Sequence, residues 1–166
     1  MKLIGFGANL SSKYGTPEQT IQKALESLEA HEVRVVRQSS LWLSAPVPIS
    51  DQPWYHNGVA IIETSHDPSK LLKLLKNIEK DFGRMSLKRN ASRVLDLDIL
   101  VFDDVVMSEE RLTIPHPRMH ERAFVLYPLQ ELLPDWSHST LDRSVAQMIE
   151  MIPEGQDIKK MESKVA

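Results

Sequence analysis

The segment Arg93-Val94-Leu95-Asp96-Leu97-Asp98-Ile99-Leu100 has the clearest capacity for chemistry in the chain. In an extended strand residues two apart project to one face, so Asp96 and Asp98 point together while the leucines point the other way. Two close carboxylates repel unless water or cations screen them. Mg²⁺ takes oxygen ligands and commonly uses one or two carboxylates together with substrate phosphates. A half-exposed strand with an acidic solvent face also explains the spacing. Arg93 precedes the strand, and Arg84, Lys88 and Arg89 lie in the polar stretch before it. A guanidinium is a planar, permanently charged fork suited to phosphate oxygens. Carboxylates that hold magnesium, with cations delivered by a loop, are the equipment of phosphoryl transfer. Taken alone, the loop is equally an ordinary solvated charge run.

Two further clusters add candidates. In Pro115-His116-Pro117-Arg118-Met119-His120-Glu121-Arg122-Ala123-Phe124, flanking prolines restrict the backbone of His116 and give its side chain a defined direction. A lone histidine is more often a hydrogen-bonded structural residue. Arg118 and Arg122 also fit a helix surface, and Phe124 a core. In Ser44-Ala45-Pro46-Val47-Pro48-Ile49-Ser50-Asp51-Gln52-Pro53-Trp54-Tyr55-His56-Asn57, a proline-stiffened loop leads to an aromatic ring and an amide. A flat heterocycle would stack on the ring, and Asn57 would donate and accept along its edge. A plain β-β connection with Tyr55 capping the core fits the same spacing.

These residues need elements to hold them. The pattern predicts a strand over about Lys2–Ala8 and a helix capped by Thr16 with Pro17 in its first turn, burying Ile21, Ala24, Leu25 and Leu28. A Val-rich strand follows over Glu32–Trp42, then the proline loop, then a strand over Gly58–Thr64. Asp67-Pro68 opens a second helix with Leu71, Leu72, Leu74, Leu75 and Ile78 as its stripe, ending near Gly83. A strand over Val94–Phe102, a turn at Asp103-Asp104 and a short strand to Ile114 come next. Helices around Arg118–Leu133 and Leu141–Ile152 complete the chain, and the charged tail after about Pro153 is expected to be loosely packed. The order β-α-β-β-α-β with helical additions gives an α+β fold: a ferredoxin-like βαββαβ core, a mainly antiparallel sheet with helices packed on it, and extra C-terminal helices. All 166 residues are expected to form one domain.

Composition narrows the function classes. With 20 Lys/Arg against 23 Asp/Glu the net charge is −3, which argues against nucleic acid or an anionic membrane as partner. The average conceals a local excess. Residues 70–93 carry eight Lys/Arg and two Asp/Glu, a net +6, against −9 for the remainder. A basic segment in an acidic chain suits a small anionic ligand. The absence of Cys excludes disulfides, thiolate zinc sites and a cysteine nucleophile. No P-loop, kinase catalytic-loop set, zinc signature or G-x-S-x-G elbow occurs, and Gly5-Phe6-Gly7 lacks the third glycine of a dinucleotide fingerprint. No stretch suits a signal peptide or membrane span, so a cytoplasmic location is expected.

In combination these segments resemble the 6-hydroxymethyl-7,8-dihydropterin pyrophosphokinase family of folate biosynthesis, bacterial type. The resemblance rests on Gly7-Ala8-Asn9-Leu10, Ser50-Asp51-Gln52-Pro53 with Tyr55 and Asn57, Phe82-Gly83-Arg84, Arg93 through Asp98, and Pro115-His116 with Arg122-Ala123-Phe124. It implies transfer of pyrophosphate from ATP to the pterin hydroxymethyl oxygen, with release of AMP. It further implies that Asp96 and Asp98 hold two Mg²⁺ ions, with Asp96 also orienting or deprotonating the hydroxymethyl group. Arg93, His116 and Arg122 match phosphate-contacting, catalytic positions. Glu79, Ile99, Arg111, Leu112 and Thr113 fall where the family holds the nucleoside and triphosphate. Tyr55 and Phe124 would sandwich the pterin, Asn57 would read its edge, and the backbone of Ser44, Ala45, Pro46 and Val47 would complete that edge. The implied partners are ATP and the pterin, with no nucleic acid and no membrane, and the chain is expected to act as a monomer. A non-catalytic pterin binder, or an α+β module using its basic loop on RNA, are the alternatives; the net charge and the lack of interleaved aromatics in residues 84–93 weigh against RNA.

Two departures from the family pattern fall in the basic loop. Ser86 stands where the family often carries a second Arg, and Asn90-Ala91-Ser92 where many members carry Trp-Gly-Pro. Lys88 and Arg89 are the available substitutes. Neutralising both is expected to slow turnover far more than it weakens pterin binding, since such loops often limit kcat. Steady-state kinetics beside pterin titration checks this, and unchanged turnover in the double variant removes the assignment.

Overall fold

The computed structural model describes residues 1–83 and 94–162. Strand β1 (Lys2–Ala8) leads into helix α1 (Pro17–Ala30). Thr16 caps this helix as its spacing predicts: its Oγ1 accepts from the Gln19 amide while the Gln19 side chain accepts from the Thr16 amide. Next come β2 (Val33–Gln38), β3 (Trp42–Ser44) and β4 (Tyr55–Thr64). Helix α2 (Pro68–Asp81) is capped by Asp67, whose carboxylate accepts from the Lys70 amide. Strand β5 (Asp96–Phe102) and a hairpin of β6 (Met107–Ser108) with β7 (Thr113–Ile114) follow. A 3₁₀ turn (Met119–Glu121), helix α3 (Ala123–Leu132), the hairpin β8 (Ser137–His138) and β9 (Arg143–Ser144), helix α4 (Val145–Glu150) and β10 (Ile158–Lys160) complete the order.

The sheet is antiparallel throughout and runs β5-β1-β4, with β4 then shared between two neighbours. Its C-terminal half pairs with β2, and its N-terminal half with β3. The order β5-β1-β4-β2, with α1 and α2 as crossovers, is the split βαβ, ferredoxin-like arrangement expected from the sequence. Alternation along the strands divides the core in two. Ile4, Phe6, Leu97 and Ile99 face α1 and α2, where they meet Ile21, Leu25, Leu28, Leu71, Leu75 and Ile78. Leu3, Val59, Leu100 and Val101 face the other way, onto Val125, Leu126 and Leu129 of α3 and Val145 and Met148 of α4.

Several expectations give way. The single strand over Glu32–Trp42 is two strands, because Ser39 interrupts the ladder. Its amide donates to Val59 O, but its hydroxyl accepts the Val59 amide in place of a backbone carbonyl. The helix over Arg118–Leu133 is broken at Arg122, which is extended (φ −112°, ψ 114°) between the 3₁₀ turn and α3. The helix over Leu141–Ile152 shortens to Val145–Glu150, because Arg143–Ser144 pairs in a hairpin and Ser144 caps α4. The tail after Pro153 carries one further strand. Ile158–Lys160 pairs with the outer edge of β3, flanked by bonds from the Ala45 amide to Asp157 O and from the Met161 amide to Leu41 O. A short, polar strand has no periodicity to announce it; the open edge of β3 recruits it.

Glu131 of α3 anchors this outer ribbon. Its carboxylate accepts from the Ser40 amide (3.0 Å), the Ser40 hydroxyl (2.9 Å) and Trp42 Nε1 (2.9 Å), with Lys160 Nζ at 3.7 Å. Burial alone would raise the Glu131 carboxyl, but these bonds outweigh it and hold its pKa below the usual carboxylate range. Glu131→Ala should therefore cost about 2 kcal/mol, the scale for hydrogen bonds to a charged group. Denaturant titration with Trp emission as the probe checks this. Because the pKa is depressed, the stabilisation holds at neutral pH and is lost as pH falls through the carboxylate range.

Candidate active site

The alternation that builds the two cores also builds a cavity. Around Gly5, Gly7, Asn57, Asp96 and Asp98 the residues on the second face are no longer aliphatic. Asp96 on β5 and Asn57 on β4 both pair with Gly7 of β1, and Asp98 pairs with Gly5. Directly paired residues point to one face, so the two carboxylates, the two glycines and the Asn57 amide form one surface. Two inter-strand spacings separate Asn57 from Asp96, about 10 Å. Gly7 must be glycine here, since a Cβ would collide with Asn57 Oδ1. The floor is thus a glycine gap with an amide on one side and two carboxylates on the other.

The cavity above this floor has a volume of about 780 Å³. Ser44, Ala45, Pro46, Val47, Tyr55, Asn57, Asp96, Asp98, His116, Arg122 and Phe124, all candidates from the sequence, line it. On the amide side, Asn57 is buried and its Nδ2 donates to Ser44 Oγ at 2.6 Å. The Tyr55 hydroxyl donates to Gln52 Oε1 (3.2 Å), which also accepts from Asn9 Nδ2 (3.1 Å); that same nitrogen donates to Pro53 O. Asn9 therefore ties the proline loop to the end of β1 and sets the ring of Tyr55. The Ala45 amide is committed to Asp157 O, so within Ser44–Val47 it cannot serve a ligand as a donor.

On the carboxylate side, β5 ends the sheet and its outer edge is covered by site residues. The Leu97 amide donates to Glu79 Oε2 (2.9 Å), and the His116 amide donates to Leu100 O. Glu79 in turn pairs with Lys76 Nζ at 3.0 Å. The half-buried position of Asp98 at the cavity floor, and then the charge of Asp96, push its carboxyl up to about 7, against the pull of Lys76 and Arg122. Burial, followed by the Arg122 charge, lowers His116 to about 4, so its imidazole is neutral at pH 7. The Arg118 amide donates to His116 Nδ1 at 3.1 Å, which assigns the proton to Nε2 and makes His116 a hydrogen-bond donor on its free side. Burial also lowers Arg122, with Asp98 and Asp96 opposing, and a guanidinium stays charged at any physiological pH. Its Cζ lies 5.3 Å from the Phe124 ring centroid, a cation-π contact.

Other expected positions lie apart from this surface. Ile99 and Leu112 are buried in the core between sheet and helices. Glu79, Arg111 and Thr113 do not line the cavity. Arg84, Lys88, Arg89 and Arg93 lie outside the described residues. Lys76, Arg118, Glu121 and the segment Pro153–Gln156 line the cavity without having been singled out. Lys76 reads as one of the lysines on a solvated helix face, and only its spacing of three from a buried Glu79 marks it.

A family model described as 7,8-dihydro-6-hydroxymethylpterin-pyrophosphokinase matches residues 3–134. The 2-amino-4-hydroxy-6-hydroxymethyldihydropteridine pyrophosphokinases of Haemophilus influenzae and Pseudomonas aeruginosa are each 43% identical to this chain over 133 residues, covering 80% of it and 81% and 80% of their own lengths. That of Synechocystis is 35% identical over 150 residues, 90% of this chain and 75% of its own. The fold is similar to HPPK-DHPS solved in complex with substrates (TM-score 0.68, 14% identity) and to Plasmodium falciparum HPPK-DHPS with pteroate (TM-score 0.71, 13% identity). Each structural match covers 90% of this chain but only 42% and 44% of the longer ones, so it concerns the fold alone. With a ferredoxin-like sheet whose end gathers an amide, two rings and two carboxylates, and with the match running over most of its length, the chain belongs to the 7,8-dihydro-6-hydroxymethylpterin-pyrophosphokinase family.

Proposed function

We propose that this protein transfers the terminal pyrophosphoryl group of ATP to the hydroxymethyl oxygen of 6-hydroxymethyl-7,8-dihydropterin, with Mg²⁺ bound, and releases AMP. The observation that carries this reading is the single surface joining Asn57 and Tyr55 to Asp96 and Asp98 across the gap at Gly7. The pterin lies on the amide side, its edge read by Asn57 and the Ser44–Val47 backbone and its face covered by Tyr55 and Phe124. Its hydroxymethyl group then points along the floor toward the carboxylates. The hydroxyl oxygen bonds to the β-phosphorus, the bond from that phosphorus to the α-β bridging oxygen breaks, and AMP leaves with that oxygen. Asp96 orients the hydroxyl and receives its proton. Arg122 and the Nε2–H of His116 meet phosphate oxygens.

The donor set fits magnesium. Two carboxylates share one half-buried face, one of them pushed up to about 7 by burial and by the other's charge, and oxygen ligands suit a hard cation. Among the described residues no group of three or more His, Asp or Glu gathers, so Asp96 and Asp98 would hold the metal with substrate and water oxygens completing the shell. Bound there, Mg²⁺ supplies neutralisation of triphosphate charge. The chain's own contribution is to hold both substrates in line.

Incubating the protein with ATP, Mg²⁺ and the reduced hydroxymethylpterin should yield AMP and the pterin diphosphate. Asp98→Ala should lower that rate at least about a hundredfold, the scale of losing a preorganised charge-stabilising group, while pterin binding survives. Pterin binding with no AMP from the unaltered protein would identify a binder instead. A second outcome concerns stability without divalent cations. Folded Asp98 keeps its proton up to about 7 while the ordinary value is 3.8, so stability falls as pH rises through that interval. Asp98→Asn should accordingly raise Tm at pH 8 by roughly 2–4 °C for each kcal/mol relieved, and the gain should vanish toward pH 4.

A further inference from the structure

The segment between α4 and β10 walls the cavity with Pro153, Glu154, Gly155 and Gln156, although the family match ends at residue 134. Gly155 has φ +90°, a conformation that side-chain-bearing residues rarely adopt, and it turns the chain so that Gln156 faces α3. Gln156 then makes two bonds. Its Oε1 accepts from the Ala123 amide at 2.8 Å, and its Nε2 donates to Glu121 O at 2.7 Å. Those two backbone groups flank Arg122. The Ala123 amide belongs to the first turn of α3, where no intrahelical acceptor exists, and Arg122 at the cap position offers no side-chain bond. Gln156 supplies the missing cap from 33 residues away. The next residue, Asp157, accepts from the Ala45 amide at the other wall of the cavity.

From this arrangement we infer that Gln156 is a positioning residue for the proposed reaction, on which this inference rests. The dipeptide Gln156-Asp157 braces the wall that carries Arg122 and Phe124 against the wall at Ser44–Val47. Arg122 is extended between the turn and the helix; its own amide donates to Met119 O and its carbonyl accepts from the Val125 and Leu126 amides, which leaves Glu121 O and the Ala123 amide on either side to be held from outside. The two bonds from Gln156 hold these flanking groups and so set the junction that carries the stacked pair Arg122–Phe124. One wall sets the phosphate contact and the other the pterin edge, so the brace sets the distance between the two substrates. Small misplacements of such groups are costly to rate.

The test compares Gln156→Ala with Gln156→Met, which keeps length and bulk but removes both hydrogen bonds. In each, kcat/KM for the pterin should fall about tenfold, the scale of losing two neutral hydrogen bonds that hold a site residue, with kcat reduced and the pterin KM raised together. Assays are made well below the Tm of each variant, where a purely stabilising role would leave both constants unchanged. Constants within twofold of the unaltered protein in Gln156→Met overturn the inference. Should the unaltered protein make no AMP, the proposed reaction fails, and amide hydrogen exchange decides the brace separately. The Ala123 amide should exchange about tenfold faster in Gln156→Met, with β1 amides unchanged; an unchanged Ala123 rate overturns it. If neither variant folds, the Ala123 amide of the unaltered protein should still be protected, and free exchange there overturns the inference.

Discussion

Two like charges held on neighbouring same-face positions of one strand form the constraint that organises this molecule. Asp96 and Asp98 would be far better solvated on an open surface, yet β5 holds them beside a sheet floor that contains no side chain at Gly5 or Gly7. The repulsion is visible in the raised carboxyl of Asp98. Around it the chain places compensating groups from three directions: Lys76 from α2, Arg122 from the entry to α3, and the neutral, donating His116 from the proline segment. Lys76 and Arg122 pull the Asp98 carboxyl down, but burial and the Asp96 charge outweigh them.

The period of two over Asp96 to Leu100 explains why one element order serves both stability and chemistry. Leu97 and Ile99 of β5 with Ile4, Phe6 and Ala8 of β1 fill the core beneath α1 and α2, and the register shift at Leu3/Ile4 turns Val101 to the other face. The opposite alternation gives aliphatic residues under α3 and α4 at one end of the sheet and glycine, amide and carboxylate at the other. A shift of one residue in the β1–β5 register would bury both aspartates under the helices. Stability of the first core therefore fixes the geometry of the site.

Much of this was legible in the residues. Leu95-Asp96-Leu97-Asp98-Ile99 states its own faces, and the caps at Thr16 and Asp67 announce α1 and α2. The cavity walls at Tyr55, Asn57, His116, Arg122 and Phe124 followed from motif resemblance rather than from spacing, because their convergence depends on pairings between β4, β1 and the segment after β7. What stayed hidden was non-local. Ser39 breaks a strand by a side-chain bond to Val59, Glu131 gathers Ser40 and Trp42 from some ninety positions away, and β10 exists because β3 has an open edge. None of these leaves a local pattern.

The covering of β5 has a meaning beyond reactivity. As the last strand of the sheet it would offer another molecule a row of unpaired amides and carbonyls, flanked by Leu95, Leu97 and Ile99. Glu79 occupies the Leu97 amide and the His116 backbone occupies the carbonyl of Leu100. These two bonds leave fewer open groups on the edge for another strand to pair with. The edge of the sheet and the floor of the cavity are thus built from the same strand, and a change in one is felt in the other.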